Sequence, residues 1–342
     1  MKLSFAWQPL RPPVGGECPA WIRSAAAVGA AIMCLGGFGQ VLLGWDEGIG
    51  LFAPLFASVL LFGLPHGAID HLVALGLAGR DLRLRPLLIV VGSYLLLVAL
   101  FLVFWQITPV MAAIGFLCMT IYHWGRSDLA FDTVCGRDKK ILSDPWLRVT
   151  HSALRGLIPI GLPFIAFPVE AGEFLQACGA LFKAGFPDVG ILSGLFGFTL
   201  LLFVVLEGAL LLRAGPGKAR IAIETCVLIG FFLTVPPLLA IGWYFCLWHG
   251  LRHVLRLCRY EDASVRTEIH SGPGRLGTFF QRALPFTLLA IGLLLGMAVL
   301  LPTGGGALGW VALYLVFISS LTFPHVVLVE WMDRRENERG EP

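Results

Sequence analysis

The sequence predicts an all-α, polytopic integral membrane bundle, and three observations carry that prediction. Of 342 residues, 57% are hydrophobic and only 14% charged, against about 25% charged in a soluble domain, and mean hydropathy is +0.82. Apolar runs of about 18 residues or more recur along the chain and do not alternate, which suits helices rather than a membrane barrel. Lysine and arginine gather in every second connection between the runs, the pattern that marks cytoplasmic loops.

About ten spans follow in order. Residues 22–43 form the first, after a segment in which Arg11, Pro12 and Pro13 interrupt any signal-peptide core, so no cleaved leader is expected. The second covers 50–77 and is followed by Arg80, Arg83 and Arg85; the third is 87–105 and the fourth 109–129, followed by Arg137, Lys139, Lys140 and Arg148. The fifth, 149–167, contains Pro159 and Pro163 and is expected to kink. An acidic connection over 170–188 leads to the sixth, 190–212, followed by Arg213, Lys218 and Arg220. The seventh is 221–235. Pro236 and Pro237 turn the chain into the eighth, which continues to about 258 and is flanked by Arg256, Arg259, Arg266, Arg275 and Arg282. The ninth is 284–301 and the tenth 308–332, with Arg334, Arg335 and Arg339 beyond it. The alternation places both termini in the cytoplasm of a multi-pass protein of the cell (inner or plasma) membrane. The expected organisation is a cytoplasmic segment 1–21, one membrane-embedded domain 22–332 and a cytoplasmic tail 333–342.

The net charge of +3 is small and suggests no nucleic-acid partner. The eight cysteines form no CxxC pair and are read as small buried apolar side chains.

Histidine is the informative residue type. His249 and His253 stand four apart, so a helix places both imidazoles on one face. His66, His123 and His325 lie in three further spans that run in the same direction. At about 1.5 Å per residue, all five fall about 13 to 18 residues, or roughly 20 to 27 Å, below the outer ends of their spans. Imidazoles at membrane depth mark functional sites, neutral imidazole is a common metal ligand, and bundles build metal sites from facing helices. With no cysteine among the donors, nothing points to structural zinc; an all-histidine site with open positions suits iron, copper or zinc. His71 is expected to point elsewhere. His151 and His270 are read as solvated or interfacial.

Carboxylates at nearby spacing are candidates to orient the imidazoles. Asp70 is four residues after His66, Asp128 five after His123 and Glu330 five after His325, and Arg252 is placed to pair with one of these acids. Tyr122, Trp124, Tyr244, Trp248 and Phe323 are expected along a tunnel for a long, flat, apolar substrate.

Four blocks carry a resemblance: Gly63-Leu64-Pro65-His66-Gly67-Ala68-Ile69-Asp70-His71, His123-Trp124-Gly125-Arg126-Ser127-Asp128, Trp248-His249-Gly250-Leu251-Arg252-His253, and Pro324-His325. Together, over about 61–332, they resemble the Brp/Blh family of β-carotene 15,15′-dioxygenases. The resemblance implies cleavage of the central double bond of β-carotene by O2 to give two retinal molecules, at a non-haem Fe(2+) held by His66, His123, His249 and His253. His325 is then a further ligand or a supporting group, and no catalytic residue beyond the ligands is implied. Retinal would pass to a microbial rhodopsin, and a substrate dissolved in lipid accounts for an enzyme embedded there. Cleavage of another carotenoid or polyene stays open, as does a transporter or proton relay built on the histidines. A haem-binding membrane cytochrome with paired axial histidines is a further rival. A membrane di-iron hydroxylase would need more than the single HxxxH present.

Overall fold

A computed structural model describes residues 8–12, 18–45, 48–135, 142–215, 218–262, 274–301, 303–304 and 306–340. His270 lies outside the described residues, as do Arg137, Lys139, Lys140 and Arg266.

The fold is helical, apart from a two-residue antiparallel pair, β1 (Leu10–Arg11) and β2 (Glu261–Asp262), which ties the N-terminal segment to the chain after the eighth expected span. The first span is α1 (Ala20–Leu42). The second is one broken rod: α2 (Gly48–Ser58), a π turn over Val59–Gly63, α3 (Leu64–Ala68) and α4 (Asp70–Leu77). α5 (Leu84–Ile107), α6 (Pro109–Cys135) and α7 (Pro145–Ala166) follow, and α7 runs as one helix through Pro159 and Pro163. The acidic connection holds a helix that spacing did not reveal, α8 (Pro168–Ala180), with Pro168 at its start, where a missing N–H costs nothing. Then come α9 (Gly190–Arg213) and α10 (Lys218–Thr234). The eighth span is again a broken rod: α11 (Pro237–Tyr244), a π turn over Phe245–Gly250 and α12 (Leu251–Leu257). α13 (Gly274–Leu300) and α14 (Ala307–Gly340) complete the chain.

Among the described residues, seven helical stretches are long and apolar enough to cross a membrane: Ala20–Leu42, Gly50–Leu77, Leu84–Ile107, Pro145–Ala166, Gly190–Arg213, Gly274–Leu300 and Ala307–Glu336. The other three expected spans coincide with helices that fall short of that apolar length. α10 has 17 residues, and α6 and the α11–α12 rod carry buried histidines and charges, among them His123, Asp128, His249, Arg252 and His253. α7 and α14 are the interior helices, whereas α5 and α13 bury least and present leucine-rich outer faces, as lipid-facing helices do.

The main core joins α5, α6, α7, α8, α10, α11 and α14 through side chains such as Trp105, Ile158, Phe231, Phe232, Tyr244 and Val316. A second cluster, around Ile69, Leu72, Val254, Tyr260, Ala283 and Met332, packs α4, α12, α13 and the end of α14 together. α6 and α7 cross backbone to backbone. There a Cβ on Gly125 would overlap the backbone of Ser152, and one on Gly156 the carbonyl of Ile121. Small residues permit such contact between membrane helices. One correction concerns the cysteines. Cys18 and Cys135 lie within disulfide-bonding distance, with Cα atoms 4.8 Å apart, and Cys118 and Cys226 are exposed rather than buried. Spacing cannot show a partner 117 residues away.

Candidate metal centre

Both broken rods break beside a histidine. The π turn Val59–Gly63 lies just before His66, and the π turn Phe245–Gly250 contains His249. Such single wide turns recur at functional sites because the extra residue re-aims the side chains after it. The two turns also pack on each other. A Cβ on Gly63 would stand 2.9 Å from the Phe245 ring, and one on Gly250 would stand 2.9 Å from Phe62 Cβ. Bare glycine backbone thus brings the two rods close enough for their imidazoles to meet.

All five histidines converge, and each is at most 6% exposed. His66 has ring-centroid distances of 4.8 Å to His325, 5.4 Å to His253 and 5.7 Å to His249. His123 lies 5.0 Å from His249 and 5.1 Å from His325, and His253 lies 5.3 Å from His325. The tightest trio is His66, His123 and His325, with ligand atoms all within 4.8 Å of one another. His325, the least certain member from motif alone, is therefore central.

The hydrogen bonds indicate which nitrogens are available. His66 Nδ1 lies 2.8 Å from the Phe62 carbonyl, which can only accept, so Nδ1 donates and Nε2 keeps its lone pair. His325 Nδ1 lies 2.8 Å from Asp70 Oδ2, leaving its Nε2 free in the same way. His325 Nε2, His123 Nε2, His249 Nε2 and His253 Nδ1 are buried with no hydrogen-bond partner. An unsatisfied buried polar atom costs about 1–3 kcal/mol, so four in one cluster point to a shared partner. Neutral imidazole nitrogens at this separation fit a divalent first-row cation.

The supporting residues divide. Asp70 orients His325 rather than His66, and it also accepts from the Tyr94 hydroxyl at 3.3 Å. Tyr94 lies 3.1 Å from the Leu321 carbonyl as well. Tyr94 escaped the sequence reading; its one signal is a tyrosine within the leucine-rich α5. Asp128 touches no imidazole. It accepts from Trp248 Nε1 at 2.9 Å and from Arg252 at 2.7 Å, and the Arg252 guanidinium lies over the Trp248 ring, 3.6 Å from its centroid. These contacts hold the turn that carries His249. Glu330 is not brought to the centre. It accepts from Tyr122 at 2.7 Å and pairs with Arg334 at 3.4 Å. Five residues along a helix is about 140° of rotation, which turns a side chain away from its histidine.

His151 corrects the surface reading. It is 0% exposed and sits between Glu207, 2.6 Å away, and Asp132, 3.3 Å away. Around it lie Arg155, bonded to Glu224 at 3.4 Å, and Arg252, 3.9 Å from Asp132. Loop proximity suggested solvent, but α6, α7, α9 and α10 bring distant acids to it.

A cavity of about 610 Å³ adjoins the centre, with His66, His123, His249 and His325 in its wall, and its other lining residues are mostly apolar. Of the five aromatics expected along a tunnel, only Trp124 lines it. Tyr122 is 48% exposed, Tyr244 stacks within the core on Trp248, Trp248 is held by Arg252 and Asp128, and Phe323 stacks on Phe101. Immediate neighbours of a histidine point about 100° away from it. The true lining recurs one or more turns back: Thr120 before His123, Phe245 and Ile241 before His249, Leu321 and Ile318 before His325. His71 also lines the cavity, its ring stacked on Phe286 at 4.1 Å between centroids.

Residues 57–333, which include all five histidines, match the model of a family described as beta-carotene 15,15′-dioxygenase. The chain is 36% identical over 304 residues to a probable beta-carotene 15,15′-dioxygenase, Blh, of Halobacterium salinarum, covering 83% of this chain and 84% of the relative. It is 25% identical over 283 residues to a beta-carotene 15,15′-dioxygenase of uncultured marine bacterium 66A03, covering 83% of this chain and 94% of the relative. The probable dioxygenase Brp of Halobacterium salinarum is 32% identical over a shorter stretch of 132 residues, 33% of this chain and 35% of the relative. No solved structure matches.

Proposed function

The chain belongs to the beta-carotene 15,15′-dioxygenase family, and from that premise we propose that it cleaves β-carotene at the central double bond with O2, at an iron held by histidines inside the membrane. The observation that carries the proposal is the cluster of imidazoles, four of them with an unpartnered buried nitrogen, in the wall of an apolar cavity. His66, His123, His249 and His253 are the proposed ligands, joined by His325. A bound Fe(2+) would supply the redox chemistry that lets O2 react with a polyene.

The chain's own residues do the rest. Four of the histidines line the cavity and His253 does not, so those four would hold a cation at the cavity wall and His253 would complete the set. Asp70 keeps the His325 proton on Nδ1 and its lone pair on Nε2. Leu321, Ile318, Ile241 and Phe245 give the polyene an apolar wall and keep water from the reacting bond. The net reaction, C40H56 + O2 → 2 C20H28O, breaks one C=C bond and places one oxygen atom on each carbon. It releases no proton; of the carboxylates in the cavity wall, Asp70 is already bonded to His325 and Tyr94, and Glu170 and Glu173 are exposed on α8.

The same reading includes a single catalytic membrane domain over 22–332, ten spans with both termini in the cytoplasm of the cell membrane, and release of retinal to a membrane opsin such as a microbial rhodopsin. Expression in a β-carotene-accumulating bacterium tests the activity. Loss of β-carotene with appearance of retinal is expected for the native chain, and neither for His249→Ala. An unchanged carotenoid profile with iron-loaded, inserted native protein would refute it.

A further inference from the structure

The cavity has two mouths of opposite chemistry. A residue that both lines a cavity and is exposed on the outside of the protein lies on the rim of an opening. Leu95 of α5 and Leu289 and Leu293 of α13 meet that condition, at 47%, 52% and 46% exposure. Leu95 lies near the middle of α5 and the two leucines well inside α13, so this rim is at hydrocarbon depth. It is flanked by the two helices that bury least. α4 packs beside α5, α3 packs beside α13, and α14 packs against both α5 and α13, so the gap is framed on all sides. In the same cavity wall a chain of contacts leads to the histidines: Tyr94 bonds Asp70, Asp70 bonds His325, His325 adjoins His66, and Phe286 stacks on His71. The second rim is different. Glu170 and Glu173, exposed in the first half of α8, line the cavity with Pro236 and Leu308, which lie at the starts of α11 and α14. A C40 hydrocarbon dissolved in lipid has no favourable path through a charged, hydrated opening.

We propose that the Leu95–Leu289–Leu293 opening between α5 and α13 is the lateral portal by which the polyene enters from the bilayer. This rests on the carotenoid reading of the cavity and adds to it the route and its gatekeepers. The portal leads to the histidines past Tyr94 and Phe286, and residues of α14, α6 and α8 also line the cavity. One half of the substrate therefore passes the histidines, and the other half stays near the mouth.

The test uses the full chain, freed of metal and reconstituted in phosphatidylcholine vesicles, mixed with vesicles containing β-carotene. The quantity followed is β-carotene retained by re-isolated protein at successive times. Leu95→Trp and Leu289→Trp fill the mouth. Leu96→Trp and Leu288→Trp are the controls, on the same helices, exposed at 60% and 58% and absent from the cavity wall. Uptake is expected to slow about tenfold or more in the first pair, as overpacking of a fitted space does, and to stay within about twofold of native in the second. Equal rates in both pairs, or equal slowing in both, would overturn the portal. Retinal formation by metal-loaded native protein is read separately: absence of product with mouth-dependent uptake would overturn the cleavage reading and leave the portal standing. Native protein that retains no β-carotene would overturn both.

Discussion

Asp70 bonds His325 across 255 positions of sequence, and its substitution is the sharpest single-residue probe of the centre. Asp70→Ala removes the partner that fixes the His325 tautomer, and metal affinity is expected to fall about 10- to 100-fold, with Asp70→Asn in between. Competition against a chelator measures this; native affinity in Asp70→Ala would mean that His325 is not a ligand. Arg252 tests a different role. Its guanidinium is held by Asp128 at 2.7 Å, with Glu224 at 3.6 Å and Asp132 at 3.9 Å. Removing one member of a buried ionic group costs about 3–5 kcal/mol, so Arg252→Met is expected to lower the thermal midpoint in detergent sharply. Removing Asp128 as well, as in Arg252→Met with Asp128→Leu, should recover part of the loss. At this scale the five histidines were legible, because imidazole at membrane depth has few ordinary uses. Their partners were less so. Asp128 supports Trp248 and Arg252, and Tyr94 acts through Asp70, because a hydrogen bond between helices follows packing angle rather than sequence spacing. Glu330 shows the limit of spacing alone, since a five-residue step turns it away from His325.

The elements that matter most are the two π turns and the α6–α7 crossing. Neither turn is visible in hydrophobic periodicity, because an extra residue per turn leaves an apolar run apolar. Gly63 and Gly250 hint at them only once the rods are seen to touch. Gly250→Val would press its side chain against Phe62 and the Phe245 carbonyl. It is expected to separate the rods carrying His66 and His249 and to leave inserted protein with less than stoichiometric iron. Gly125→Val meets backbone rather than a yielding side chain and is expected to prevent accumulation of folded protein; normal yield and native iron content would contradict this close crossing. The helix α8 was hidden for another reason. Thirteen residues starting at a proline and carrying two glutamates read as a connection, yet Ala171, Leu175 and Cys178 form a buried stripe at helical spacing.

For the whole molecule, composition and charge alternation already implied a polytopic helical bundle, and each expected span corresponds to a helical element. Among the described residues, seven stretches reach membrane-crossing length and apolarity unaided. Long-range pairing was out of reach, as Cys18–Cys135 and the β1–β2 contact show. That cysteine pair offers a test of orientation, because it brings the segment before α1 to the end of α6, on the side the loop arginines assign to the cytoplasm. Thiol pairs there are normally kept reduced, so alkylation of growing cells is expected to trap both cysteines as thiols. A disulfide trapped in cells would place that face outside.

The most direct measurement is the product stoichiometry of purified, iron-loaded protein acting on β-carotene under air, followed by chromatography, beside His66→Ala and His325→Ala prepared identically. The expected result is two moles of retinal per mole of β-carotene consumed, and no product from either variant. Longer apocarotenals, or retinal formed by a variant that has lost its iron, would contradict central cleavage at the histidine cluster.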